Sequence, residues 1–80
     1  MDEIVHNRIH MLRVERKISR RQLADDLNIH YQTVGYLERG EYSPSLQLAL
    51  KIAQYFDVTV EFLFSLEPFE PVGSMKDNIN

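Results

Sequence analysis

The chain has 80 residues, enough for one small domain, with no cysteine and a formal net charge of -3. A chain of this size buries only about 60% of its unfolded surface, so modest monomer stability is expected, and neither a disulfide nor a thiolate metal site can add to it. No apolar run approaches the roughly 18 residues of a membrane span, and the start MDEIVH lacks the charge pattern of a signal peptide, so a soluble cytoplasmic protein is expected.

In chain order, Ile4 and Val5 form a β-branched pair too short to stand alone. The spacing then predicts a helix over 7–17, with Ile9, Leu12 and Met11 inward and arginines outward. A break near Ile18 precedes Ser19, an N-cap residue with Gln22 at capping-box spacing. Leu23, Ala24 and Leu27 make one apolar stripe on the helix that follows. Asn28, tolerant of the left-handed conformation, ends it. A further short helix carries Val34 and Leu37 inward and stops at Gly40. The stretch 19–40 is thus two helices about a tight turn, the helix-turn-helix pattern, whose second helix can enter the DNA major groove.

EYSPS reads as a loop, and a fourth helix runs from Ser45 or Leu46 to Phe56. Its apolar arc of Leu46, Ala49, Leu50, Ile52, Ala53 and Phe56 is wide enough to face more than one neighbour. Thr59 caps a last short helix to about Phe64, with Phe62 and Leu63 expected inside. The two termini suggest a small two-stranded β ribbon, Ile4-Val5 against Phe64 to Glu67, since chain ends in a small bundle lie close together. The expected fold is therefore all-α, a five-helix bundle with that ribbon. Residues 1–66 form the domain and 67–80 a tail, a possible dimer contact that then frays.

Charge is unevenly spread. Arg8, Arg13, Arg16, Lys17, Arg20 and Arg21 crowd one segment with Glu15 as its single acid, whereas acids dominate after Glu41. A basic end would orient the molecule toward phosphate, although an ordinary solvated helix face explains the same charges equally well. His6 and His10 stand at the i, i+4 spacing of a two-ligand metal site, but no third ligand accompanies them, so no metal is expected. Ser19, Ser43 and Ser45 read as caps or loop residues, and Asp25-Asp26 lacks a cleft. Neither an enzyme nor a cofactor is expected.

The spacing of Leu12-Arg13, Ser19 through Ala24, Leu27, Ile29, Val34, Leu37-Glu38-Arg39-Gly40, Pro44-Ser45-Leu46 and Ile52-Ala53 closely resembles the XRE family, the phage Cro/CI-like repressors. The resemblance spans roughly residues 7 to 66. It implies a lambda-repressor-like bundle that binds a palindromic operator in double-stranded DNA as a homodimer and regulates transcription. Carried over by position, Tyr31, Gln32, Gly35 and Tyr36 would face bases, with Gln32 suited to a bidentate contact with adenine. The alternative for the tyrosines is exposed aromatics on a small helix.

Arg20, Arg21, Thr33, Arg39 and Tyr42 would meet phosphate, or in the case of Arg21 simply solvent. Arg13 and Glu38 match a structural ion pair behind the recognition surface. Three departures stand out: His30 is a poor cap, Gly35 interrupts the recognition helix, and Asp25 and Asp26 must face away from phosphate. Late apolar residues exceed what one bundle needs, so Tyr55, Phe62, Phe64 and Leu66 are assigned to a dimer interface, with Phe69 adding to the excess. The rival reading is an antitoxin-like or other protein-binding module that keeps the helix-turn-helix and takes a protein partner through its acidic tail.

Overall fold

In the computed structural model, which describes residues 3–70, helix ends are set by a recurring local device. Helices α1 (Ile9–Glu15), α2 (Arg20–Leu27), α3 (Tyr31–Glu38) and α4 (Leu46–Phe56) each close in a Schellman motif. The residues that turn into the left-handed region are Lys17 (φ 58°), Asn28 (58°), Gly40 (74°) and Asp57 (59°). At Ile18, Ile29 and Val58, the amide reaches back to Arg13, Ala24 and Ala53 carbonyls while the apolar side chain packs on the core. Only Gly40 needs glycine for space as well as φ, because a Cβ there would lie 3.2 Å from Ile4 Cγ2.

Helix starts obey the same local logic. Ser19, Ser45 and Thr59 accept from the amides of Gln22, Leu48 and Phe62, the last opening α5 (Val60–Leu63). The capping box at Ser19 is half made, because Gln22 Nε2 donates to Asp26 Oδ1 at 2.8 Å. The helices enclose one core of Ile9, Leu12, Leu23, Leu27, Val34, Leu37, Ile52, Phe56 and Leu63, all nearly inaccessible, with Ala24 and Ala53 where helices approach.

The termini do pair, but two residues along from the expected place. β1 (His6–Asn7) runs antiparallel to β2 (Phe64–Ser65), with His6 opposite Ser65 and Asn7 opposite Phe64. The register follows from Asn7, whose Oδ1 caps the Ile9 amide at 3.0 Å and whose Nδ2 donates to Leu37 O at 2.8 Å. Arg8 N then donates to Leu63 O at 2.9 Å. These bonds also start α1 two residues later than its periodicity predicts. They place His6 on a strand, so His6 and His10 do not share a helix face.

Other expectations need correction. Met11 is exposed, and so is Phe62 at 40%, because the short α5 turns only Leu63 fully inward. On α4, Ala49, Ile52, Ala53 and Phe56 face the core, whereas Leu46 and Leu50 are 73% and 53% exposed. At the far end, the Arg8 guanidinium lies between the Phe62 and Phe69 rings, 4.2 and 4.0 Å from their centroids. Phe69 thus packs within its own chain. Residues 71–80 of the tail lie outside the described residues.

Candidate nucleic-acid interface

Helix α3 buries Val34 and Leu37 and presents Tyr31, Gln32 and Tyr36 outward, with both tyrosines 46% exposed. Its cap residue His30 makes no side-chain hydrogen bond, so the first turn keeps amides turned outward. A shallow recess on this face is lined by Arg20, Tyr31, Gln32, Gly35, Tyr36 and Arg39. It therefore unites four base-facing candidates with two of the phosphate-facing ones. Arg21 stacks over Tyr31 at 5.1 Å and Arg39 over Tyr36 at 5.3 Å. Thr33 is half-buried at the start of α3, and Tyr42 is exposed in the following loop, outside the recess lining.

Gly35 is itself buried, and what covers it are arginines. Behind it, Glu38 gathers cations from two other helices. Arg13 Nε donates to Glu38 Oε2 at 2.6 Å, Arg20 Nε to Oε1 at 3.1 Å, and His10 Nδ1 lies 3.4 Å from Oε1. Arg13 also donates to Ile18 O at 3.0 Å, so one side chain joins the turn after α1 to the recognition helix. Burial alone would raise the Glu38 carboxyl. Bonding and attraction from Arg13, with help from Arg20 and His10, more than offset it and hold the group below its ordinary 4.5.

Spacing along the chain gave no sign that Arg20 would share Glu38, that Arg39 would pair with Glu41 at 3.2 Å, or that His10 would join them. Asp26 faces away from the recess, accepting from Tyr55 Oη at 2.6 Å. Of the residues assigned to a dimer, Tyr55 is thus occupied within its own chain, Phe64 is half-buried in the ribbon, and Phe62 and Leu66 remain exposed. Among the described residues, no group of three or more His, Asp or Glu side chains could hold a metal ion, and no helix is long and apolar enough to cross a membrane.

A family model described as helix-turn-helix matches residues 9–63, the whole span from α1 to α5. The chain belongs to the XRE (Cro/CI-like) helix-turn-helix family. An uncharacterised HTH-type transcriptional regulator of Methanocaldococcus jannaschii is 38% identical over 64 residues, covering 80% of this chain and 97% of that protein. The uncharacterised regulator YgzD of Bacillus subtilis is 39% identical over 61 residues, covering 76% and 92%. A crystal structure of a candidate DNA-binding protein from Bacteroides fragilis superposes with a TM-score of 0.69 at 24% identity, covering 78% of this chain and all of that one. At that identity the likeness concerns the family fold.

Proposed function

We propose that this protein is a sequence-specific regulator of transcription that binds double-stranded DNA with α3 in the major groove. The observation that carries the reading is the α3 recess, where exposed Gln32 and two tyrosines sit beside Arg39, at the end of α3, and Arg20, from the start of α2. That combination suits a surface of base-edge acceptors flanked by phosphates. Gln32 would read adenine, Tyr31 and Tyr36 would meet thymine methyls or backbone, and Arg21, Thr33 and Tyr42 would contact phosphate. The free amides at the start of α3 add attraction for anions.

The protein would act as a homodimer on a palindromic operator, and as a repressor, since a small domain occupying DNA blocks other proteins. Exposed Phe62 and Leu66, beside the ribbon, supply apolar surface for a two-fold contact. Two recognition helices would then lie about one DNA turn, ~34 Å, apart. This is a binding module and not a catalyst. A protein-binding role is a second reading, favoured by the exposed Leu46 and Leu50 on α4.

Selection of bound duplexes from a random DNA pool tests the proposal. Enrichment of an inverted repeat with half-sites one turn apart is expected, together with a salt dependence reflecting ~6 to 10 phosphates per dimer. No enrichment over the starting pool at low salt would refute it.

A further inference from the structure

We infer that Arg20 and Arg39 form a paired guanine reader over Gly35, instead of two separate grips on phosphate. The inference rests on α3 entering the major groove as proposed above. Its basis is a convergence that neither arginine could reach alone. If Gly35 carried a Cβ, that atom would lie 3.0 Å from Arg39 Nη1 and 3.6 Å from Arg20 Nη1. Both guanidinium tips therefore approach the same point, and the missing side chain is what leaves room for them. One comes from the first residue of α2 and the other from the end of α3.

Each guanidinium is held from behind. Arg20 Nε donates to Glu38 Oε1 at 3.1 Å, and Arg39 Nε is ion-paired with Glu41 Oε2 at 3.2 Å. With each Nε facing a carboxylate, Nη1 of both arginines approaches Gly35, and two like charges can sit close because Glu38, shared with Arg13, and Glu41 stand beside them. Anchoring also lowers the entropy lost when an acceptor binds, an advantage the fixed guanidinium fork exploits.

The position of the pair selects its ligand. Gly35 lies at the middle of α3, one turn from Tyr31 and Gln32 on one side and from Arg39 on the other. A recognition helix reads base edges foremost through its N-terminal residues, and Gly35 follows Tyr31 and Gln32 by one turn. Guanidinium tips that reach over Gly35 therefore lie beside the base-reading residues, although their backbones lie at the end of α3 and on α2. Among base edges, guanine alone presents two adjacent acceptors, O6 and N7, which match guanidinium donors. The half-site should therefore hold a guanine beside the base read by Gln32.

The test uses the full chain and the duplex obtained by selection, resynthesised with 7-deazaguanine at each guanine in turn. One guanine per half-site should lose about ten- to a hundredfold in affinity when its N7 is removed. Gly35→Ala, whose methyl would displace the Arg39 tip, should bind the natural duplex more weakly and no longer respond to the 7-deaza change. Circular dichroism should show it folded and melting no lower than the wild type. Arg39→Lys, which keeps the charge without the paired donors, should also lose the 7-deaza response. Should 7-deazaguanine have no effect anywhere in a duplex that the protein selects, the guanine reader is overturned and the regulator reading stands. If instead a neutral methylphosphonate removes the contribution of these arginines, the pair grips phosphate and the inference fails. A protein that selects no sequence would overturn both readings together.

Discussion

Arg13 Nε lies 2.6 Å from Glu38 Oε2, joining α1 to the last turn of α3 through a carboxylate whose side chain is only 2% exposed. The Arg13 side chain is 11% exposed, so both charges are largely removed from water. A pair of this kind stabilises only while it is complete, because without Glu38 the largely buried Arg13 would keep no carboxylate and only its bond to Ile18 O.

Glu38→Ala is therefore expected to cost about 3 to 5 kcal/mol by chemical denaturation, a large share of the stability of a domain this small. The sign of the pH dependence follows from the lowered carboxyl. The stabilisation is present above the ordinary value of 4.5 and is lost as pH falls through the lower folded value. Glu38→Gln should consequently differ most from the wild type at neutral pH, with the two melting curves converging below pH 4.5. Parallel pH profiles would show that the charge of Glu38 has no part in stability.

Tyr55 gives a second pH signature on the opposite face. Burial, then its bond and proximity to Asp26, push its hydroxyl up to about 12, against a small lowering from Arg16. A folded value raised above the ordinary 10 contributes stability fully present below pH 10 and lost between 10 and 12. Ultraviolet titration of tyrosinate should show one of the four tyrosines ionising late, and Asp26→Asn should bring it earlier. Titration of all tyrosines near 10 in the folded protein would contradict the bond.

Gln32 is exposed and makes no bond needed by the fold, so Gln32→Ala should shift the melting temperature by no more than about 2 to 4 °C, as surface changes of under about 0.5 kcal/mol do. Its affinity for the selected duplex should fall by about 1 to 3 kcal/mol, while binding to unrelated DNA changes little. Competition binding distinguishes this from a general loss. Equal weakening on all DNA would make Gln32 a backbone contact.

Leu66 is 58% exposed beside the ribbon, while Leu46 is 73% exposed on α4. If the dimer forms at the terminal face, Leu66→Glu should yield a monomer in sedimentation velocity at micromolar protein, and Leu46→Glu should not. The reverse outcome would move the interface to α4.

The local sequence already specified the caps at Ser19, Ser45 and Thr59, the left-handed turns at Asn28 and Gly40, and the inward stripe of Leu23, Leu27, Val34 and Leu37. Such features arise within one or two helical turns, where side-chain chemistry acts on its own backbone. The helix-turn-helix and its bundle were legible for that reason. Tertiary structure decided the ribbon register through Asn7 and Leu37, the exposure of Leu46 and Leu50, and the bond between Tyr55 and Asp26. It also decided that Arg20 would lean on Glu38 and meet Arg39 above Gly35. In those cases the partners are far apart in sequence or on different helices, and periodicity says which face a residue occupies but not which side chain from another element will meet it there.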